Sequence, residues 1–568
     1  MNQTSWKHKL LIVGLMTVLA LIMTWPLAQR PATTVNDYGD PLLNAWILWW
    51  DVKALTTPGL SLFNAPIFYP SPLTLAYSEH LLVSALTVSP LLLWGADAVL
   101  AYNVMFLLSF IIAGLGGYLL GYELTGSRSA ALVAGIGFGF APFRFGHLGH
   151  LQILTAHFMP LVMLYLHRWA RRPTWPLTLA WGLFWLLQVL SCGYHGLFIS
   201  LAVGLFLVFY GWRRAWWRVP RRWLQVGLVA VLLAVLVIPF YLPYRQVQSD
   251  LGFKRSLGQA AAFSARPQYY LAAPPANNIY GKLTSTFRGP EGELFLGLTL
   301  TALVALALLG RVRRHRPQAL AQADDTQGSQ NDPQALWFYL LLALFAVWAS
   351  LGPQYGLYSA LYRLIPGFDA IRVPSRMVVL VTLAWAALAA LGVKRLQDLL
   401  GSQSWIKKIL GPGLALLILA ESCSIPIPWA HIWDKTPEVY QWLARQPAGT
   451  IVMEVPTLGH RGDHARDARY LYWSTKHGQT LVNGYSGFFP PGYLDLAKRA
   501  ARLPAPEVVE ELGSKKVKYL VLHLKEYPRS QGKRLLEQYQ KNSKLKLVFN
   551  TTWDYVFEIL AGCDCKNR

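Results

Sequence analysis

The stretch LLIVGLMTVLALIMTWP, residues 10–26, carries no charged side chain and is long enough to cross a bilayer core. It is followed by NDYGDP at residues 36–41 and then by LLNAWILWWDV at residues 42–52. Because tryptophan concentrates at the headgroup level, the last stretch is expected to lie flat at the membrane interface. The N-terminal region therefore predicts an uncleaved first span, a polar motif and an interfacial helix, in that order.

The composition is that of an integral membrane protein. Of the 568 residues, 54% are hydrophobic and only 14% are charged, against roughly 25% charged in an ordinary soluble domain. The net charge of +23 does not indicate nucleic-acid binding, because the basic residues cluster at the ends of apolar segments, as the positive-inside rule describes. These clusters are Arg168, Arg171 and Arg172; Arg213, Arg214, Arg218, Arg221 and Arg222; Arg311, Arg313, Arg314 and Arg316; and Lys394, Arg395, Lys407 and Lys408.

The apolar segments predict a mostly α fold, a polytopic transmembrane helical bundle of about 11 crossings. The spans are expected near residues 10–28, 100–121, 128–145, 151–169, 175–191, 195–212, 223–244, 292–310, 335–352, 375–393 and 406–425. The segment 80–97 is interrupted by Pro90, and treating it as re-entrant or interfacial keeps every basic cluster on the cytoplasmic side. The N-terminus is then cytoplasmic, and the first outer loop 29–99 and the large loop 245–291 lie outside.

The chain is expected to divide into a transmembrane domain, 1–429, and a C-terminal extracytoplasmic α/β domain, 430–568. The second part is far more charged and contains strand-like runs at Thr450–Pro456 and Val517–Leu524, a helical run at Pro506–Gly513, and a closing hairpin of Leu545–Phe549 with Tyr555–Leu560. The polar segment 311–334 is predicted to be a cytoplasmic linker.

Six clusters of polar, reactive residues fall on the predicted outer side. Polar groups held against a bilayer are costly, so their gathering on one face indicates a functional site. The clusters are Asp37–Asp40, Glu79–His80, His147 with His150, Tyr194–His195, Arg372 with Arg376, and Asn483–Pro491.

In this arrangement the chain resembles the GT-C membrane glycosyltransferases, and more narrowly the bacterial YfhO-like or family-39-like proteins. An acidic motif behind the first span, an interfacial helix, about a dozen spans and a C-terminal outer domain carry the resemblance. It implies transfer of a sugar from a polyprenyl-phosphate donor to an acceptor, with an acidic residue of the first outer loop as base. By position that residue is Asp40 or Asp37, although Asp-Tyr-Gly-Asp departs from the adjacent acidic pair of several such enzymes.

The resemblance also suggests roles for the basic residues. A lipid phosphate leaving group needs cations, and arginine suits it through paired hydrogen bonds, so we expect donor-phosphate binding at Arg372 and Arg376, with Arg144 and Arg245 as further candidates. A Mg²⁺ or Mn²⁺ site is an additional possibility, and its four candidate ligands are Asp37, Asp40, Glu79 and His80. The structural alternatives are a turn or helix cap for the two aspartates and a polar cap on the re-entrant helix for Glu79 and His80.

Substrate contacts are expected from His147, His150, Tyr194, His195, Asn483 and Tyr485. Glycines beside Tyr194 and His195 let backbone approach a ligand closely, and the aromatic ring of Tyr485 suits a sugar. The alternatives are interfacial anchoring for the two histidines of the loop 143–150, a plain tight turn at 191–196, and a docking plug at Phe488 and Phe489.

The sequence as a whole predicts a multi-pass glycosyltransferase of the inner or plasma membrane. Its partners would be membrane lipid, a polyprenyl-phosphate sugar, and a glycan, lipid or protein acceptor, with no nucleic acid. Two other functions stay open. A flippase for lipid-linked saccharides would need polar groups along a whole pathway, and a non-catalytic cell-envelope assembly protein would use the outer domain to bind a partner.

Overall fold

A computed structural model describes residues 6–309, 332–400, 404–457 and 465–560. The linker predicted at 311–334 lies almost entirely outside these residues, as does the basic cluster Arg311–Arg316. The chain forms two compact units. The helical unit comprises Met1–Gln29, Met105–Phe240 and Lys254–Ile427, and the mixed unit comprises Arg30–Val104, Tyr241–Phe253 and Pro428–Arg568.

The long helices follow the predicted spans. Six helices of the described chain are long and apolar enough to cross a membrane. They are Trp6–Met23, Ala98–Thr125, Gly193–Arg213, Pro220–Leu251, Pro333–Ser350 and Pro374–Leu399; Leu82–Leu93, Trp175–Ser191 and Leu298–Leu309 are apolar but shorter. Further helices at Arg128–Gly139, Met159–Arg171 and Ser404–Ser422 occupy the remaining predicted spans. A polytopic helical membrane fold is thereby confirmed, whereas the number of crossings stays a prediction.

Close helix packing in the helical unit depends on glycine. The helices Ala98–Thr125 and Arg128–Gly139 approach so closely that a Cβ atom at Gly117 would lie 2.8 Å from the carbonyl oxygen of Ala134. A Cβ atom at Gly139 would lie 2.6 Å from the Cα atom of Gly114. Small residues at helix contacts allow this approach where no hydrophobic force drives helices together in lipid.

The mixed unit contains a five-stranded sheet. The strands of this sheet are β3 (Ile451–Val455), β4 (Thr480–Leu481), β5 (Tyr519–His523), β6 (Leu545–Asn550) and β7 (Asp554–Ile559). Two further strands, β1 (Thr34–Val35) and β2 (Ala430–His431), form a separate antiparallel pair. The order of the five-stranded sheet is β4-β3-β5-β7-β6. The first three strands are parallel, and β7 is antiparallel to both β5 and β6. The α/β domain and its closing hairpin are therefore as predicted.

Five helices accompany this sheet, at Glu438–Ala444, Ala465–His477, Pro491–Ala500, Pro506–Ser514 and Arg529–Lys541. Their apolar residues and those of the strands form one core that includes Met453, Leu496, Val509, Leu520 and Phe557, all of them buried. The parallel strands end at one edge of the sheet, and ligands of α/β folds bind at such an edge.

The first loop packs into the mixed unit instead of lying free. The helix Asp40–Thr56, called the loop helix below, has twelve of its 17 residues buried. It packs against the helices Leu82–Leu93 and Ala465–His477, and the indole of Trp46 donates to the Ser474 hydroxyl at 2.9 Å. Trp46 and Trp50 are buried and Trp49 is half-buried, so these rings pack against protein, whereas the position of the helix at the membrane interface stays a prediction.

Backbone hydrogen bonds extend the sheet into the same loop. The amides of Phe68 and Tyr69 donate to the carbonyls of Asn483 and Leu481, both at 3.1 Å. The amide of Leu481 in turn donates to the carbonyl of Pro66 at 2.9 Å. These bonds fix the first loop beside the end of β4, where the segment Asn483–Pro491 begins.

Candidate active site

The acidic motif forms a tight turn at the start of the loop helix. The Asp37 carboxylate accepts a hydrogen bond from the Gly39 amide at 2.8 Å, which is the turn-forming role considered for this residue. Gly39 is the N-cap residue, Asp40 is the first helical residue, and Pro41 follows it. A helix N-terminus carries partial positive charge, so it stabilises a carboxylate at Asp40 by about 0.3–1 kcal/mol.

Tyr485 brings the C-terminal segment onto this carboxylate. Its hydroxyl donates to Oδ1 of Asp40 at 2.9 Å, although the two residues are 445 positions apart. Burial, followed by the charge of Asp40, raises the pKa of Tyr485, so the phenol keeps its proton and remains a donor. A Cβ atom at Gly39 would lie 3.1 Å from Oδ1 of Asp37 and 3.2 Å from the Tyr485 hydroxyl. A side chain at position 39 would therefore require Asp37 or Tyr485 to shift by a few tenths of an ångström.

Aromatic packing holds the segment that carries Tyr485. The ring of Phe488 stacks on Phe253 at 4.5 Å, and Phe489 packs edge-on against Phe68 at 5.8 Å. A Cβ atom at Gly484 would lie 2.4 Å from the Phe68 ring. Phe488 and Phe489 thus anchor the segment within the mixed unit, whereas the plug considered from the sequence would dock the outer domain onto the membrane part and stays a prediction.

Asn483 does not have the environment of a substrate contact. It is fully buried, and its side-chain amide makes two hydrogen bonds with the backbone of Glu454. Nδ2 donates to the Glu454 carbonyl at 2.9 Å, and Oδ1 accepts from the Glu454 amide at 2.7 Å. It also donates to the Asp467 carboxylate at 3.3 Å. Burial raises the pKa of Asp467 to about 7. Asn483 therefore joins β3 to the helix Ala465–His477, which corrects the expectation that it touches a sugar.

His80 caps the short helix Leu82–Leu93. Its Nδ1 accepts from the Leu82 amide at 3.1 Å, as the structural alternative had it, and its ring lies against Tyr241 and Tyr244. Burial lowers the pKa of His80 to about 4, so the imidazole is neutral. Among the residues that the structure describes, no three acidic, histidine or cysteine side chains are arranged to hold a metal ion. The four predicted ligands do not form such a cluster in the described chain, and a Mg²⁺ or Mn²⁺ site stays a prediction.

In the helical unit, Arg376 is held by a carboxylate. Its Nε and one terminal nitrogen donate to the two oxygens of Glu291 at 3.1 and 2.5 Å. His147 lies 3.8 Å from the same carboxylate and 5.5 Å, ring to ring, from His150. Burial alone would raise the pKa of Glu291, but Arg376 lowers it to about 2, so Glu291 is ionised. Burial lowers the pKa of His147 to about 3, so this imidazole is neutral.

Two other predicted site residues are buried in the interior of the same unit. Arg144 is buried and donates to the Leu154 carbonyl at 3.0 Å and to the Ser109 hydroxyl at 3.2 Å. His195 is fully buried, and neither ring nitrogen has a hydrogen-bond partner in the described part of the chain. Arg144 therefore fixes backbone, and its predicted contact with phosphate would require these bonds to open.

Among the predicted phosphate-binding arginines of the helical unit, Arg372 is neither buried nor paired with a carboxylate of the described chain. It is half-buried, its charged group lies 5.0 Å from the Phe263 ring, and no acidic partner exists for it among the described residues. Its backbone amide donates to the Tyr194 hydroxyl at 2.9 Å, which positions Tyr194 beside it. Arg245 is exposed on the helix Pro220–Leu251, in the mixed unit.

Sequence reasoning missed the buried ion triad of the outer domain. His523, at the end of β5, bonds Glu454 through Nε2 at 2.9 Å and Asp554 through Nδ1 at 2.8 Å. Burial alone would lower the pKa of His523, but the two carboxylates raise it to about 9. The available signals were a glutamate within the apolar strand β3, Glu454, and a histidine at the end of β5, His523.

The structure also reveals an unusual carboxyl group on the loop helix. Asp51 is fully buried, and neither of its oxygens has a hydrogen-bond partner among the described residues. Burial raises the pKa of Asp51 well above its usual range. No feature of the surrounding residues distinguishes Asp51 from an exposed aspartate.

No family model and no curated protein matches the sequence. The fold is similar to that of the arabinofuranosyltransferase AftD from Mycobacteria, with a TM-score of 0.60 at 13% identity over 98% of this chain and 40% of AftD. The chain thus spans about 40% of the length of that protein. This likeness confirms the expected GT-C fold, whereas the narrower YfhO-like resemblance stays a prediction.

Two further solved structures match at lower similarity. The oligosaccharyltransferase AglB from Archaeoglobus fulgidus, in complex with an inhibitory peptide and a dolichol-phosphate, has a TM-score of 0.43 at 14% identity over 92% of this chain and 70% of its own. ArnT from Cupriavidus metallidurans has a TM-score of 0.39 at 14% identity over 98% of both chains.

Proposed function

We propose that this protein is an integral membrane glycosyltransferase that moves a sugar from a polyprenyl-phosphate donor to an acceptor hydroxyl. The observation that carries the proposal is the Asp40 carboxylate at the N-terminus of the loop helix, held at 2.9 Å by the Tyr485 hydroxyl. The fold shared with AftD, whose name is that of an arabinofuranosyltransferase, supports the same class of reaction. The sugar and the acceptor are left open.

In the proposed reaction Asp40 is the general base. It takes the proton of the acceptor hydroxyl while the acceptor oxygen bonds to the anomeric carbon and the bond from that carbon to the phosphate oxygen breaks. The released product is the polyprenyl phosphate, and the proton remains on Asp40. Positioned proton transfer of this kind contributes about 10²- to 10⁴-fold in rate, and a negative charge beside the oxocarbenium-like transition state adds to it.

Tyr485 is assigned the role of positioning this base. Its hydrogen bond fixes the orientation of the carboxylate, and the raised pKa of the phenol keeps it a donor across the neutral range. A hydrogen bond to a charged group is worth about 1.5–3 kcal/mol. Asp37 holds the turn through Gly39, so we assign it a structural part rather than the proton.

Arg372 is assigned to the donor phosphate. Arg376 already shares its charge with Glu291, whereas Arg372 has no acidic partner in the described chain. Arginine binds a phosphate through paired hydrogen bonds, and the departing lipid phosphate needs such a cation more than it needs an acid. Tyr194, bonded to the Arg372 backbone, would contribute a nearby hydroxyl.

The test is release of polyprenyl phosphate by the purified full-length protein from a labelled polyprenyl-phosphate sugar. We expect Asp40→Asn to lose at least about a hundredfold in turnover. The matched control is Asp434→Asn, since Asp434 is an exposed aspartate of the same unit. If Asp40→Asn turns over at the wild-type rate, Asp40 is not the base.

The same preparation separates an enzyme from a flippase. Reconstituted in vesicles, a flippase would carry the labelled donor across the bilayer and leave its sugar–phosphate bond intact. We expect bond cleavage that depends on an acceptor. Translocation without any cleavage would overturn the proposed function.

A further inference from the structure

One stretch of the helical unit has an extreme charge imbalance. Between Glu123 and Phe240 the sequence contains ten arginines, no lysine and no acidic residue. Most of these arginines fall in two short turns, at 168–175 and 212–223, each of which joins two helices. The turns also carry exposed tryptophans, among them Trp175 and Trp217, which are 41% and 55% exposed.

The two turns form one surface. The side chains of Arg214 and Arg222 both donate to the carbonyl of Ala170, at 3.3 and 3.1 Å. The indole of Trp169 donates to Gln225 at 2.9 Å. These bonds connect the first turn to the second and place both at the same end of the helices.

Two arginines build this surface and are not available to a ligand. Arg214 forms an ion pair with Asp332 at 2.9 Å. Arg222 lies over the rings of Trp216 and Trp169, at 4.7 and 5.4 Å from their centres. Both side chains are therefore held by protein.

Four other arginines of the same turns are exposed. None of the four has an ion pair within the part of the chain that the structure describes, so their charge faces outward. They are Arg172, Arg213, Arg218 and Arg221, and together with Trp175 and Trp217 they are called the arginine–tryptophan surface.

We infer that the arginine–tryptophan surface binds anionic phospholipid headgroups. Guanidinium groups complement phosphate, exposed indoles lie at headgroup depth, and basic clusters beside a membrane helix attract anionic lipid. A membrane lipid fits better than a soluble acidic protein, because the surface continues into an apolar and exposed helix face. On the helix Pro220–Leu251, Leu224 and Val231 are 59% and 62% exposed.

The experiment measures lipid selectivity of the full-length protein in phosphatidylcholine bilayers. Spin-labelled phosphatidylglycerol or spin-labelled phosphatidylcholine is added, and electron paramagnetic resonance gives the immobilised fraction of each. We expect a preference for phosphatidylglycerol that weakens with salt. Each arginine removed should lower the affinity for the anionic lipid by on the order of fivefold.

The test variant is Arg213→Gln/Arg218→Gln/Arg221→Gln. The matched control is Arg529→Gln/Lys533→Gln/Arg534→Gln, which removes the same charge from exposed positions of the helix Arg529–Lys541. The inference predicts loss of selectivity in the first variant only. Equal selectivity in both variants would overturn it.

A charge-conserving lysine variant separates the loss of charge from a loss of folding. The variant Arg213→Lys/Arg218→Lys/Arg221→Lys keeps the charge and should keep the preference for phosphatidylglycerol. Binding of polyglutamate by the wild-type protein, without any preference for phosphatidylglycerol, would identify an acidic protein as the occupant and overturn the inference.

Discussion

Replacement of His523 should change how the stability of the mixed unit depends on pH. The imidazole lies between Glu454 and Asp554, which raise its pKa from 6.5 to about 9 although burial alone would lower it. A raised pKa means that the folded state binds the proton more tightly than the unfolded chain does. The difference corresponds to about 3 kcal/mol of stability.

The sign follows from linkage. Because the pKa of His523 is higher in the folded state, this stability is complete below the unfolded value of 6.5 and disappears as the pH rises through about 9. His523→Gln removes the titrating group and leaves a buried carboxylate at Glu454 without its cation. Breaking a buried pair in this way costs about 3–5 kcal/mol.

The assay is equilibrium unfolding of the full-length protein in urea at pH 6 and at pH 10. A short deuterium pulse at one fixed pH, read by mass spectrometry on peptides from β5, reports unfolding of this region. We expect the advantage of wild type over His523→Gln to shrink by about 3 kcal/mol between the two pH values. His431→Gln is the control, because His431 is exposed and pairs only loosely with Asp434 at 3.3 Å. Parallel pH profiles for wild type and His523→Gln would refute the reasoning.

Three further predictions follow from the mixed unit. Gly39→Ala places a methyl group 3.2 Å from the Tyr485 hydroxyl, so turnover should fall about tenfold or more. The unfolding free energy should change little. Full turnover would show that the site tolerates displacement of the Tyr485 hydroxyl. The wild-type protein should lose about 3 kcal/mol of unfolding free energy between pH 4 and pH 7, because burial raises the pKa of Asp467 from 3.8 to about 7. Asp467→Asn should abolish this loss, which urea unfolding at both pH values measures, and an unchanged pH profile would contradict the prediction. Asp51→Leu should raise the unfolding free energy at pH 8 by about 1–3 kcal/mol, because it removes a buried carboxyl group with no partner in the described chain. The gain should be smaller at pH 4. A destabilised protein at pH 8 would indicate that Asp51 has a ligand.

The helices and the outer sheet were predictable because their signals are local. Long, mostly apolar runs mark Gly193–Arg213 and Val378–Leu399, and short apolar runs mark β3 and β5. The strand β4 has only two residues and carries no pattern of its own. The helix Ala465–His477 is rich in charged residues, yet most of it is buried against its neighbours, so it was not recognised.

The candidate site was predictable only in part, since its contacts join distant residues. Asp40 and Tyr485 were each selected from the sequence, but no local pattern links residues 445 positions apart. The pairing of Glu291 with Arg376 depends on tertiary packing, since the two residues are far apart in the sequence. Asn483 was read as a sugar contact because it precedes an aromatic segment, whereas its burial decides its role.

Chemical rescue tests the central assignment, Asp40 as the base, most directly. Asp40→Ala removes the carboxylate, and added formate can occupy the space and take the acceptor proton in its place. We predict that formate raises polyprenyl phosphate release by Asp40→Ala in a concentration-dependent way and leaves the Asp434→Asn control unaffected. A folded Asp40→Ala protein that is fully active without formate, or inactive at every formate concentration, would contradict the account.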